Sequence, residues 1–200
     1  MNSLKELLPY KEIIKDNILE IYNQATLQEH SEGRGWYSSA LSFCEEVSKD
    51  VKLPIMNIAG LVAAISPQTE WSINKEWTKL YFKGNYKQNG VQNEKCHKIK
   101  KAKSFSEIMG ILHGPKTKNF FGSILYPEDK HFVVIDSHML KVLSGLYIDT
   151  CTPYQYNKLK TIFKEVSTEL NTTPASLQSV CWLTYKRVKP KYYKAKKYEQ

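Results

Sequence analysis

The sequence predicts an all-α fold of eight or nine helices. Apolar residues recur at helical spacing through most of the chain, and prolines and capping residues mark the helix starts. Residues 132–135 form an extended run that is too short to build a sheet alone. We therefore expect one helical domain over 1–188, with two lobes around a cleft as the alternative, and a flexible basic tail over 189–200.

The first half of the chain contains four predicted helices. Apolar residues over 10–25 keep the i, i+3, i+4 spacing, and we expect a loop containing the glycines at 33 and 35 to end this helix. The same spacing over 36–47 predicts the second helix. A proline opens the third, over 54–65, and 71–81 is the fourth.

The second half begins with a lysine-rich segment, 83–103, that lacks periodicity and predicts a mobile connection. Ser104 and Glu107 form a capping box in front of a short helix. The next helix spans 115–125, and Asp136 stands at the N-cap position of the helix after it.

Two further helices complete the predicted fold. Thr152-Pro153 and Thr173-Pro174 each combine a capping residue with a first-turn proline. They open helices over 156–170 and 177–188.

Charge is concentrated in two stretches of the chain. The net charge is +9, but residues 83–118 carry +7 and residues 185–199 carry +6, which leaves −4 for the remainder. Two basic patches on an acidic body are typical of a protein that binds a polyanion. The alternative interpretation is a solvated surface that serves solubility.

The four cysteines favour a reducing compartment. Their wide spacing matches neither paired zinc ligands nor an iron–sulfur cluster loop, so we expect reduced, mostly buried thiols and neither a metal nor a cofactor. The longest apolar run, 58–65, is far shorter than the roughly 20 residues that span a bilayer. The N-terminus lacks the pattern of a secretory signal. We expect a cytoplasmic protein, in the host cytoplasm if it is viral, without a membrane partner. The cysteines are Cys44, Cys96, Cys151 and Cys181.

Three segments together resemble the helix-hairpin-helix DNA glycosylase superfamily typified by endonuclease III. They are 62–68 (Val-Ala-Ala-Ile-Ser-Pro-Gln), 114–120 (Gly-Pro-Lys-Thr-Lys-Asn-Phe) and 133–138 (Val-Val-Ile-Asp-Ser-His). Together with their surroundings they cover roughly 58–147. The chain looks like a small, divergent, phage-type member without the iron–sulfur cluster, and its hairpin keeps one of the family's two glycines.

The resemblance implies roles for individual residues. Lys116 falls on the position of the catalytic lysine, Asp136 on that of the catalytic aspartate, and Gln68 on that of the glutamine that fills the hole left by a flipped base. Trp71 and His138 are candidates for the base pocket. The partner is duplex DNA with a flipped base, bound by a monomer. Candidate phosphate-binding residues are Gly114, Lys118, Lys98, Lys100, Lys101 and Lys103.

The chemistry gives its own reasons for these residue types. Breaking an N-glycosidic bond builds positive charge on the sugar, which an ionised carboxylate such as Asp136 can stabilise. A neutral amine such as Lys116 can attack the sugar carbon, provided that its environment allows it to lose a proton. These residues predict a glycosylase with AP-lyase activity.

Two other functions remain open at this point. A related enzyme could modify a hypermodified thymine in phage DNA rather than excise a base. A scaffold without catalysis could simply bind DNA. Each residue also has a structural interpretation, since Asp136 can be a helix cap, Lys116 a solvated charge, and His138 a buried structural side chain.

Overall fold

The computed structural model describes residues 3–86 and 90–198, and of residues 190–198 the backbone only. These residues form eleven helices and contain no β-strand, which confirms the all-α prediction and corrects the expected number of helices. The helices are α1 Leu4–Leu7, α2 Lys11–Asn23, α3 Leu27–Val51, α4 Ile55–Ile65, α5 Trp71–Phe82, α6 Gly90–Lys101, α7 Phe105–Ile111, α8 Pro115–Leu125, α9 Ser137–Ser144, α10 Pro153–Glu169 and α11 Pro174–Tyr198.

The chain divides into two compact units. Unit 1 combines residues 1–37 with residues 127–200, and unit 2 is the continuous segment 38–126. The division falls within α3, whose first residues belong to unit 1 and whose later residues belong to unit 2.

Unit 1 is built around α2. This helix contacts α9, α10 and α11, and its buried side chains Ile14, Ile18 and Ile21 follow the predicted helical spacing. The buried amide of Asn17 donates to the carbonyl oxygen of Leu143 at 3.1 Å, which ties α2 to the end of α9. Burying these apolar side chains is the main stabilising contribution to this unit.

Unit 2 is built around α4, in which every residue from Asn57 to Ile65 is buried. This helix contacts α5, α6, α7 and α8. Gly60 allows the close approach, since a Cβ there would lie 2.9 Å from the side chains of both Ile99 and Ile108. An apolar helix surrounded by four others is the expected arrangement for a segment without a polar face.

The structure overturns the predicted loop at Gly33 and Gly35. Helix α3 runs through both glycines without interruption. A Cβ at residue 33 would lie 2.6–2.8 Å from Val180, so this glycine serves a close helix crossing within unit 1 rather than a chain break.

The predicted mobile connection over 83–103 is also wrong for most of its length. Residues 90–101 form α6, with Cys96 and Ile99 buried one turn apart. Asn57 on α4 donates its amide hydrogens to the carbonyl oxygens of Ile99 at 2.7 Å and Ala102 at 2.9 Å. This tertiary cap ends a helix that the local sequence hardly favours. Residues 87–89 of the predicted connection lie outside the described residues.

The predicted tail begins inside a helix. Helix α11 opens at Pro174, where the hydroxyl of Thr173 accepts from the backbone N–H of Ser176 at 3.1 Å, and it continues to Tyr198. Residues 199–200 of the predicted tail lie outside the described residues. Helix α1, a single turn capped by Ser3, has no counterpart in the prediction.

Candidate functional site

In unit 2, a short helix, a turn that contains a glycine and a second helix follow one another, as predicted. Helix α7 ends at Ile111, residues 112–114 form the turn, and α8 begins at Pro115. Gly114 has φ +77°, a conformation that residues with a Cβ rarely adopt. The rings of Phe105 and Phe121 stack with centroids 4.9 Å apart, which fixes α7 against α8.

Lys116 and Lys118 lie in the first turn of α8, and both side chains are partly buried. Gly114 offers no side chain to cap this helix. The first-turn N–H groups and the two lysines therefore place positive charge at one helix end, an arrangement that favours an anion.

Gln68 lies in the turn that links α4 to α5, and its side chain is exposed. It has φ +59°, in the left-handed region that glutamine rarely occupies. The backbone N–H of Thr69 donates to the carbonyl oxygen of Ser66 at 3.1 Å, and the Thr69 hydroxyl donates to Ile65 at 3.1 Å. These bonds hold the turn, so the tight backbone presents Gln68 at its tip.

Trp71 begins α5 and is partly buried. Its ring meets that of Phe43 edge to face at 5.7 Å, and the Nζ atom of Lys75 lies 5.7 Å from its centroid. Trp71 therefore belongs to the aromatic packing between α3 and α5 within unit 2.

The candidate phosphate-binding lysines of α6 are exposed. Lys98 pairs with Glu94 at 2.6 Å, and Lys100 lies 5.9 Å from the ring centroid of Phe82. Lys101 and Lys103 are exposed on either side of the α6 terminus. Half of the predicted capping box is present here, since the Ser104 hydroxyl accepts from the backbone N–H of Glu107 at 3.2 Å. The Glu107 carboxylate accepts from the backbone N–H of Lys103 at 2.7 Å instead of from that of Ser104.

Asp136 lies in unit 1, at the N-cap of α9. Its Oδ1 atom accepts from the backbone N–H of Met139 at 2.8 Å, which confirms the predicted cap. The buried hydroxyl of Tyr156 holds the preceding extended segment, since it donates to the carbonyl oxygen of Val133 at 2.7 Å and accepts from the N–H of Ile135 at 3.2 Å. The cap and the tyrosine together fix the backbone position of Asp136.

His138 occupies a cationic and aromatic environment in the same unit. Its Nδ1 atom is buried and has no hydrogen-bond partner among the described residues. Its ring lies 5.6 Å from that of Tyr185 and 6.4 Å from that of Trp182. Burial lowers the pKa of His138; Asp136 opposes this effect, and lysines add to it. These lysines are Lys189, Lys141 and Lys186.

The sequence reasoning missed the contribution of α11 to this cluster. The Nζ atom of Lys186 lies 4.3 Å from the centroid of the Trp182 ring. It also missed Tyr156, whose role depends on a buried hydroxyl that no spacing pattern reveals. The helical spacing of Trp182, Tyr185 and Lys186 could have placed them on one face, although not beside His138.

The cysteines are free, and all but Cys151 are buried, as predicted. Burial raises the pKa of Cys44 to about 12, which makes it an unreactive thiol at neutral pH. Among the side chains of residues 3–86 and 90–189, no group of His, Cys, Asp and Glu has the arrangement of a metal site. None of the helices described is both long and apolar enough to cross a bilayer.

These observations define an all-helical protein of two compact units, with a basic hairpin in unit 2 and an aspartate-capped helix in unit 1. A family model matches residues 5–189, and the chain belongs to that family, which is described as a Family of unknown function (DUF7178). Neither the curated proteins nor the solved structures contain a match to the chain.

Proposed function

We propose that the protein is a DNA N-glycosylase with AP-lyase activity that excises a damaged or modified base flipped from duplex DNA. The observation that carries the proposal is the hairpin, in which Gly114 adopts φ +77° immediately before the helix that bears Lys116. The resemblance of 62–68, 114–120 and 133–138 to helix-hairpin-helix glycosylases supports the same assignment.

The charge of unit 2 supports the proposed binding of DNA. Lys116 and Lys118 stand beside uncapped N–H groups at the start of α8, and exposed lysines line the C-terminal part of α6. Backbone N–H groups and lysines bind phosphate oxygens without reading sequence, so affinity falls steeply with salt.

Gln68 acts as the wedge in this mechanism. Extrusion is required because the atoms to be attacked are hidden in the base stack. A side chain at the tip of a tight turn can enter the vacated space, and the polar glutamine amide can pair with the base left on the opposite strand. The left-handed backbone at Gln68 is the kind of local strain that clusters at functional positions.

Lys116 supplies the nucleophile. Its neutral amine attacks C1′ of the sugar as the N-glycosidic bond breaks, and the base departs with the bonding electron pair and takes up a proton. Loss of the amine proton and opening of the sugar ring give a Schiff base, from which elimination of the 3′ phosphate nicks the strand.

Asp136 supplies the negative charge. An ionised carboxylate stabilises the cation that develops on the sugar, and a fixed carboxylate does so without reorganising. The bonds from Met139 and Tyr156 described above provide this fixed position. We assign the reaction to a monomer in the cytoplasm, or in the host cytoplasm for a viral protein, where duplex DNA is available.

Borohydride trapping tests the proposal. The protein is incubated with duplexes that carry an abasic site or a panel of modified bases, and the reductant converts a Schiff base to a stable adduct. We expect an adduct with the wild-type protein, none with Lys116→Ala, and a retained adduct with Lys118→Ala, which removes the same charge from the same helix.

A second variant separates the two roles of Asp136. Asparagine caps helices as well as aspartate does, so Asp136→Asn keeps the fold but removes the charge, and we expect base release to fall by about 100-fold or more. No adduct on any duplex and no released base would overturn the proposal. A base of altered mass in an intact strand would instead indicate a base-modifying transferase.

A further inference from the structure

Unit 2 contains an open pocket away from the hairpin. It lies between the end of α5, the residues that follow it, and the first turns of α6, and its volume is about 430 Å³. This size is within the range of small-ligand sites. The lining residues are Tyr81, Gly84, Tyr86, Asn93, Glu94 and His97.

Aromatic rings form one wall of this pocket, which we call the α5–α6 pocket. The ring of Tyr86 meets those of Tyr81 and Trp77 edge to face, with centroids 6.0 Å and 6.1 Å away. These contacts hold the tyrosine rings in place. Burial raises the pKa of both tyrosines, so they stay neutral at physiological pH. A fixed aromatic wall of this kind suits a flat ring system.

The Tyr86 hydroxyl is buried and has no hydrogen-bond partner among the described residues. Because this oxygen is covered, other atoms of Tyr86 line the pocket. Tyr86 therefore contributes its ring to the wall.

Polar side chains form the rim of the pocket. Asn93 and His97 stand one helical turn apart on α6, and Glu94 stands beside them. These side chains carry an amide, an imidazole and a carboxylate, and the Glu94 carboxylate already pairs with Lys98 at 2.6 Å. This combination matches the edge of a nucleobase, which presents donors and acceptors side by side.

Cations continue from the rim along α6. Lys98 pairs with Glu94, and Lys101 lies one turn beyond His97, about 6 Å further along the helix axis at 1.5 Å per residue. Both lysine side chains are exposed. A group with negative charge attached to a base in the pocket would therefore meet positive charge on one side.

We propose that the α5–α6 pocket binds a single unstacked nucleobase, with the lysines of α6 contacting the phosphate attached to it. Single-strand binding proteins use the same combination of aromatic stacking and cationic tracks. The base belongs either to a DNA strand or to a free nucleotide, since both present the same chemistry. This proposal shares the DNA partner of the proposed function but requires neither Lys116 nor Asp136.

The test compares two probes of equal length and charge, a short oligothymidylate and an abasic oligomer with the same phosphates. The pocket variant is Asn93→Ala/His97→Ala. Its matched control is Asn23→Ala/His131→Ala, which removes the same side chains from exposed positions of unit 1. His97→Glu is a second variant at an exposed position, so it changes the rim without disturbing the core.

We expect the wild-type protein and the control to bind oligothymidylate at least about fivefold more tightly than the abasic oligomer. Both pocket variants should lose this preference while Lys116-dependent trapping is unchanged. Competition by thymidine monophosphate would show that a free nucleotide suffices as the ligand, and its failure to compete would show that a strand is required. Equal binding of the two oligomers by the wild-type protein, or a preference that survives in both pocket variants, would overturn the proposal.

Discussion

The hydroxyl of Tyr156 donates a hydrogen bond to the carbonyl oxygen of Val133 at 2.7 Å, across 23 residues of sequence. The same hydroxyl accepts from the N–H of Ile135 at 3.2 Å. One side chain of α10 thus satisfies two buried backbone groups of the extended segment that precedes Asp136. The segment has no neighbouring strand among the described residues. The Tyr156 hydroxyl therefore provides the hydrogen-bond partners that a second strand would provide in a sheet.

Removing this hydroxyl should destabilise unit 1. Tyr156→Phe keeps the ring but removes the donor to the Val133 carbonyl oxygen and the acceptor of the Ile135 N–H, so we expect a loss of about 1–3 kcal/mol in the free energy of unfolding. Urea denaturation measures it. Tyr154→Phe is the control, because Tyr154 lies on the same helix and is 67% exposed. Equal stability of the two variants would show that the hydroxyl of Tyr156 contributes nothing.

The two glycines of α3 should respond in opposite directions to alanine. Gly33→Ala places a Cβ 2.6–2.8 Å from Val180, and we expect a loss of about 1–3 kcal/mol from overpacking. Gly35→Ala meets no atom within 4 Å and should gain about 0.5–1 kcal/mol from helix propensity. Thermal unfolding of the pair is the measurement, and a stabilised Gly33→Ala variant would contradict the close crossing.

The ion pair between Glu29 and Arg187 should make stability depend on acid pH. Hydrogen bonds from Arg187, at 2.8 Å to each carboxylate oxygen, are the main reason that the pKa of Glu29 falls to about 2. Because this pKa lies below that of the unfolded chain, the stabilisation is complete above about pH 4.5 and is lost as the pH falls toward 2. Arg187 is 46% exposed, so screening limits the effect to about 1 kcal/mol.

Glu29→Gln tests this ion pair. At pH 7, Glu29→Gln should reduce the free energy of unfolding by about 1 kcal/mol. Between pH 4.5 and pH 2, the stability of this variant should fall less than that of the wild-type protein. Glu32→Gln is the control, since Glu32 accepts from Gln28 at 2.7 Å rather than from a cation. An unchanged acid profile in Glu29→Gln would argue against the pair.

Substitution of Gln68 by glycine should increase the stability of the protein and reduce its activity. Gln68→Gly relieves the left-handed backbone, and we expect a gain of about 0.5–1 kcal/mol in stability. Gln68→Ala keeps the Cβ and should gain nothing. Both variants remove the wedge. Relative to the wild-type protein, they should excise a base more slowly from duplex DNA but not from single-stranded DNA, where no gap in a base stack needs to be filled. Stability curves and single-turnover excision rates test the two halves of this prediction separately.

The sequence predicts most helices because their signals are local. The cap at Asp136, the cap and first-turn proline at Thr152-Pro153, and the apolar run of α4 each lie within a few residues of what they specify. The prediction also agrees with the structure at the hairpin, where Gly114 marks the turn and Pro115 marks the start of α8.

The errors arise where distant residues decide the local structure. Gly33 looks like a helix end but serves contact with Val180, which lies in the other half of the chain. Helix α6 has weak periodicity, and Asn57 from another helix binds carbonyl groups in its last turn and just beyond it. The α5–α6 pocket likewise combines residues whose proximity depends on how α5 and α6 pack, which no spacing rule supplies.

The interrupted chain path of unit 1 sets an order of events during synthesis. Unit 2 is one continuous segment, so all of its helices are available as soon as residue 126 has left the ribosome. Helix α2 is made before unit 2, but its partners α9, α10 and α11 follow more than a hundred residues later. Its apolar face must remain uncovered, or be shielded by a chaperone, while unit 2 folds. A chain whose synthesis stalls after residue 126 would therefore carry the complete segment of unit 2 and, before it, a helix α2 with an exposed apolar face that is prone to aggregation.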